Sequence, residues 1–152
     1  MLKTALALFA LSAAAFAQSA PATYKSAAEL MDVLKANIPK ATDQASAPVV
    51  TADTWHASVV YRNKPGVAMA HATGPAKGTE VHYIIDGSAT VITGGSLLRP
   101  AGGPSDIQGG VTHHLAKGDV LVIPAGTPHW YKEIQGSVTY LEVRFDVEKD
   151  KK

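Results

Sequence analysis

Residues 118–133 read Gly-Asp-Val-Leu-Val-Ile-Pro-Ala-Gly-Thr-Pro-His-Trp-Tyr-Lys-Glu, and no other stretch constrains the fold as tightly. Residues 120–123 are an apolar run rich in β-branched side chains, expected to be a buried strand. Pro124-Ala125-Gly126-Thr127-Pro128 stops it, because proline cannot extend a ladder and glycine supplies backbone angles that other residues avoid. His129 follows at once, on the start of the next strand. A histidine placed just after so constrained a corner has a well-fixed position. A metal ligand or a general base needs that, and hydrophobic packing does not call for it.

The rest of the chain supplies a setting for such a strand pair. With 152 residues it is long enough for one core and too short for two ordinary domains. Residues 1–17 have the form of a secretory leader: basic Lys3, an apolar run over residues 6–16, and Ala15-Phe16-Ala17 before Gln18. The apolar run is too short for a membrane span. There is no cysteine, hence neither a disulfide nor a lipid-anchor cysteine. A soluble periplasmic or secreted protein is the expectation, with no membrane association after cleavage. Loss of Lys3 would leave thirteen basic against thirteen acidic residues, a balance that does not suit a nucleic-acid partner.

Residues 18–48 are expected to be a helix and a linker. Ser26-Ala27-Ala28-Glu29 is a capping-box pattern, Leu30, Val33, Leu34 and Ile38 share one helical face, and Pro39 ends the helix. From residue 49 to residue 147 short strands alternate with turns. Strands are expected at 54–62, 67–73, 79–86, 89–93, 96–99, 111–115, 120–123, 128–134 and 137–147. A long loop spans 100–110, and residues 148–152 form a charged tail. The fold class is all-β, a jelly-roll β-barrel with one N-terminal α-helix.

Six histidines in a neutral β protein call for placement one by one. Side chains alternate along a strand, so Glu80, His82 and Ile84 share one face. A carboxylate and an imidazole two residues apart suit zinc, manganese, iron, nickel or copper. They suit a solvent-facing polar stripe equally well. Tyr131 and Glu133 are in phase with His129 and are expected to face the same cavity. His113 and His114 face opposite sides, so one of them could reach it. His56 reads as a satisfied or surface histidine, Arg62 and Arg99 as strand-end charges or rim anion binders, and Trp55 and Tyr61 as packing residues.

Two of these stretches together resemble the cupin superfamily. Gly118-x5-Pro124-x-Gly126-x2-His129 matches its second motif; the family closes the motif with asparagine, whereas this chain has Glu133. Glu80 and, seven residues on, Gly87 match the second half of the first motif. The first half departs from the pattern, with His71 in the place of the first histidine and Thr73 in that of the second. His82, beside Glu80, is the candidate replacement. The resemblance covers roughly residues 67–145 and implies a jelly-roll barrel, often a homodimer, with its site inside. The expected metal ligands are drawn from His71, Glu80, His82 and His129, with Glu80 as proton-transfer group and Tyr131 orienting a substrate. Two functions are compatible with this. One is a small metal-dependent enzyme of dioxygenase, lyase or isomerase type acting on a small organic molecule. The other is a non-catalytic periplasmic module that binds or senses a small ligand or a metal. Mass spectrometry of the exported protein is expected to find Gln18 as the first residue; an intact Met1 would overturn the export expectation.

Overall fold

The computed structural model describes residues 21–69, 78–99 and 106–146. The expected leader and tail, together with His71 and Thr73, lie outside these. Helix α1 (Ala27–Asn37) starts as its sequence dictates: Ser26 accepts from the Glu29 amide, and the Glu29 carboxylate accepts from the Ser26 amide and hydroxyl. A 3-10 turn at Ile38–Lys40 carries Pro39 and ends it. Among the described residues nine strands follow: β1 (Gln44–Thr51), β2 (Trp55–Arg62), β3 (Gly66–Met69), β4 (Thr79–Thr93), β5 (Ser96–Leu98), β6 (Asp106–Gln108), β7 (Val111–Ala116), β8 (Val120–Ile123) and β9 (Pro128–Phe145).

The main sheet is antiparallel and runs β1-β2-β9-β4-β7, with β3 added on β9 and β8 on β4; β5 and β6 form a separate hairpin. This is the expected all-β jelly-roll, although the sheet does not close on itself. Its core is built from alternate residues of the strands, among them Val60, Ile84, Val91, Leu115, Ile123, Val138 and the two tyrosines Tyr131 and Tyr140. Among the described residues, no helix is long and apolar enough to cross a membrane.

Four local expectations need correction. First, the segment taken as a linker becomes β1 from Gln44 onward, because Ala45 and Ala47 are small enough to let α1 lie close above them. Second, of the four helix residues expected to dock, Leu34 is buried and Leu30 and Ile38 pack beside it, while Val33 is 41% exposed. A narrow alanine-floored groove accepts one ridge of the helix, and Val33 falls outside it. Third, the loop over residues 100–110 contains β6, whose Ile107 is buried and pairs with Leu97. Fourth, β8 is half buried rather than fully buried: Leu121 and Ile123 face the core, whereas Val120 and Val122 are 59% and 57% exposed.

The strands expected as two pairs are in fact two long ones. Both β4 and β9 run through their expected breaks and are bent instead, with register shifts between Ile84 and Asp86, Gly87 and Ala89, and Thr90 and Val91. Bulges of this kind turn a strand without ending it. At Gly87 φ is +81°, and any Cβ there would collide with the Ser137 carbonyl of β9, so only glycine fits.

The helix is held chiefly by one buried side chain. Leu34→Ala is expected to cost about 2–5 kcal/mol in urea unfolding, and Val33→Ala less than about 0.5 kcal/mol. Equal costs would contradict the observed docking.

Candidate metal centre

The polar site forms where the beginning of β4 pairs with the end of β9, close to the His129 end of the same strand. The register sets His82 directly opposite Glu142, and Glu80 directly opposite Arg144. On the other flank of β9, His56 of β2 is paired with Arg144. Directly opposed residues on one sheet face are within side-chain reach. Alternation turns Glu80 and His82 inward with Ile84, as expected, and all three are buried. The corner before β9 includes Gly126 at φ +80° and delivers His129 to the same place, 3% exposed.

The cluster is tight. Nε2 of His82 lies 3.3 Å from Oε2 of Glu80 and 3.5 Å from Oε2 of Glu142. Nε2 of His129 is 3.7 Å from the same Glu80 oxygen. One ligand atom from each of Glu80, His82 and Glu142 falls within 4.8 Å of the others, a spacing that one metal ion could bridge. Each of the three has a second partner behind it. Nδ1 of His82 is 2.9 Å from the Tyr131 hydroxyl. Oε1 of Glu142 is 3.1 Å from Nε2 of His56. Oε1 of Glu80 is 2.8 Å from the Arg144 guanidinium, which also lies 3.8 Å from Oε1 of Glu142.

Aromatic rings wall off the inner side. Tyr131 and Tyr140 stack with centroids 5.3 Å apart, and Tyr140 lies 4.6 Å from the His82 ring. Arg62 is not the rim charge expected of a strand end. It is buried, donates to the Tyr140 hydroxyl at 3.1 Å, pairs with Asp43 at 3.3 Å, and lies over the Tyr131 ring.

Burial and charge act against each other on His82, Glu80 and Glu142. Burial pulls His82 down, but the Glu142 and Glu80 carboxylates outweigh it and the imidazole is raised. His129 is pulled down to about 4, mainly by burial, with Glu80 opposing. Burial pushes Glu142 up, yet His82 and Arg144 bring it down to about 2. Burial likewise pushes Glu80 up, and His82, His129 and Arg144 together hold it below the usual carboxylate range. Tyr131 is driven far above the phenol range by burial, so it stays protonated.

The expected residues are thus partly united. The structure brings Glu80, His82, His129 and Tyr131 together, and His71 lies outside the described residues. Glu133 does not join them: it is exposed and accepts from Thr90, because the shift at Thr90/Val91 breaks the phase between Tyr131 and Glu133. His113 and His114 hydrogen-bond Thr93 and Thr90 instead. Sequence reasoning missed Glu142 and Arg144. Their signal was present, since Val138, Tyr140, Glu142 and Arg144 alternate, so two charges occupy the phase of a core face.

The metal-free protein is expected to be acid-sensitive. His129 binds its proton near pH 6.5 when unfolded and only near 4 when folded, so the unfolded state holds more protons in that window and stability rises with pH across it. Glu142 acts in the same sense lower down, its contribution present above about 4.5 and lost as pH falls through 2. His82 has the opposite sign: its contribution is full below 6.5 and fades as pH rises through its raised value. Urea midpoints of chelator-treated protein measured from pH 4 to 6.5 should climb, and His129→Asn should flatten the climb.

Comparison with curated protein sequences finds no match. Among solved structures, the Schizosaccharomyces pombe Cnp3 cupin domain superposes with a TM-score of 0.51 at 15% identity, over 72% of this chain and 66% of that one. The hydroxypropylphosphonic acid epoxidase from S. wedmorenis gives 0.53 at 16% identity, over 70% and 52%. An iron(II) form of HppE gives 0.51 at 17%, over 67% and 50%. This chain spans about half the length of these last two, and at such identities the likeness concerns the fold. Residues 40–149 match the family model described as Cupin, and they include every side chain of the cluster; the chain belongs to the cupin family.

Proposed function

We propose that this protein binds a divalent transition metal through Glu80, His82 and Glu142 and uses it as a small metal-dependent enzyme on a small organic molecule inside the barrel. One observation carries the reading: one ligand atom from each of Glu80, His82 and Glu142 lies within 4.8 Å of the others, with Glu80 and His82 fully buried. Two carboxylates held that close need a positive partner between them. The donor set fits: two carboxylate oxygens and an imidazole suit zinc, manganese, iron, nickel or copper.

A metal held there would supply Lewis-acid polarisation of a bound oxygen. The chain's own residues do the rest. With Nε2 on a metal, His82 would donate Nδ1–H to the hydroxyl oxygen of protonated Tyr131, 2.9 Å away, which would fix the ring. His56 and Arg144 hold the outer carboxylate oxygens so that the Oε2 atoms face inward. Glu80 lies between His82 and His129 as a carboxylate, placed to hold the metal or to take a proton from a bound molecule. His129, drawn down to about 4, is neutral near pH 7 and free to complete the ligand set. We take the mature protein to be exported and homodimeric, on the strength of the leader pattern and the family resemblance.

Protein purified without chelators, or reloaded, is expected to hold about one metal per chain by elemental analysis. Glu142→Gln should abolish tight binding, and Tyr131→Phe should weaken it about 10–100-fold, with unchanged circular dichroism. Fewer than about one metal in ten chains after reloading would reject the proposal.

A further inference from the structure

The metal reading, on which this inference rests, leaves the charge of the site unbalanced. Glu80 and Glu142 together carry two negative charges, and a divalent cation cancels them. Imidazole ligands bind metal in the neutral form. Arg144 then remains, and a guanidinium does not lose its proton in proteins. Within the described residues, the carboxylates paired with Arg144 are the same two, at 2.8 and 3.8 Å. Its side chain is 16% exposed, and its Nε is buried without a partner. Arg62, the other buried arginine of the site, differs: Asp43 and the Tyr140 hydroxyl satisfy it.

One uncompensated positive charge is therefore left in a mostly buried place, which is costly unless an anion joins it. A single positive charge calls for a monoanion, and the fork of an arginine matches the two oxygens of a carboxylate. Phosphate esters, with nearly two charges, would overshoot the balance. We propose that the metal-loaded site takes a small molecule bearing one carboxylate, with Arg144 selecting its charge.

Cobalt(II)-loaded protein offers a direct readout in its visible absorption. Acetate is expected to change the spectrum saturably, and acetamide, neutral and of the same shape, to leave it unaltered. Arg144→Gln should weaken acetate roughly tenfold or more, while Arg144→Lys, which keeps the charge but not the fork, should lose less than Arg144→Gln. Three outcomes would overturn the proposal: equal responses to acetate and acetamide, no response from protein that holds cobalt, or undiminished acetate binding in a cobalt-holding Arg144→Gln variant. Should that variant lose its cobalt, the acetate and acetamide arms in the wild-type protein decide alone. Wild-type protein that takes up no cobalt overturns the metal reading itself, and this inference with it.

Discussion

The pairing of β4 with β9 is the interaction on which the rest of the structure depends. Both strands are unusually long, 15 and 18 residues, and each pairs with other strands of the main sheet, β7 and β8 on β4, β2 and β3 on β9. Their register opposes His82 to Glu142 and Glu80 to Arg144. Slipping it by one residue would carry one of these sets to the outer face, because side chains alternate with a period of two. The site is therefore a property of strand register and not of loops, which gives it a rigid footing for chemistry. The bulges near Gly87 belong to the same design, since they bend both strands and bring the two halves of β9 to one cavity.

The site combines a charged cluster with an aromatic wall, and the two need each other. The stacked tyrosines and Arg62 exclude water on one side, which strengthens each remaining electrostatic contact. They also make an unpaired polar atom expensive, and Arg144 Nε is such an atom. An apolar core of the same volume would be no less stable. Retaining two glutamates, two histidines and an arginine in this place is the kind of local cost that functional sites carry. The outer oxygens of both carboxylates and the rear nitrogen of His82 are engaged by neighbouring side chains, so the inner atoms are oriented before any metal arrives.

Much of this was legible in the chain. The capping box at Ser26 and Glu29, the alternation of Glu80, His82 and Ile84, and the corner before His129 each depend on a few consecutive residues. Local rules of geometry suffice for them. The family resemblance rested on the same short segments and pointed to the all-β fold. Glu142 was harder. It lies more than fifty residues from Glu80, and nothing near it in the chain marks it as more than an alternating strand residue. Glu133 failed for a related reason: it shares a sequence phase with His129 and Tyr131, and a bulge opposite Thr90 cancels that phase.

What the sequence determined by itself is which face each side chain takes within its own strand or helix, because backbone geometry repeats over two or four residues. It thereby set the all-β class, the helix start, and the common face of Glu80, His82 and Ile84. What only the tertiary structure decided is which inward faces meet. That choice rests on the register of β4 against β9 and on the bulges that shift it, and both are settled by packing between residues far apart in the chain. The partner of His82 is consequently a glutamate on the last strand, and its charge is answered by an arginine two residues beyond.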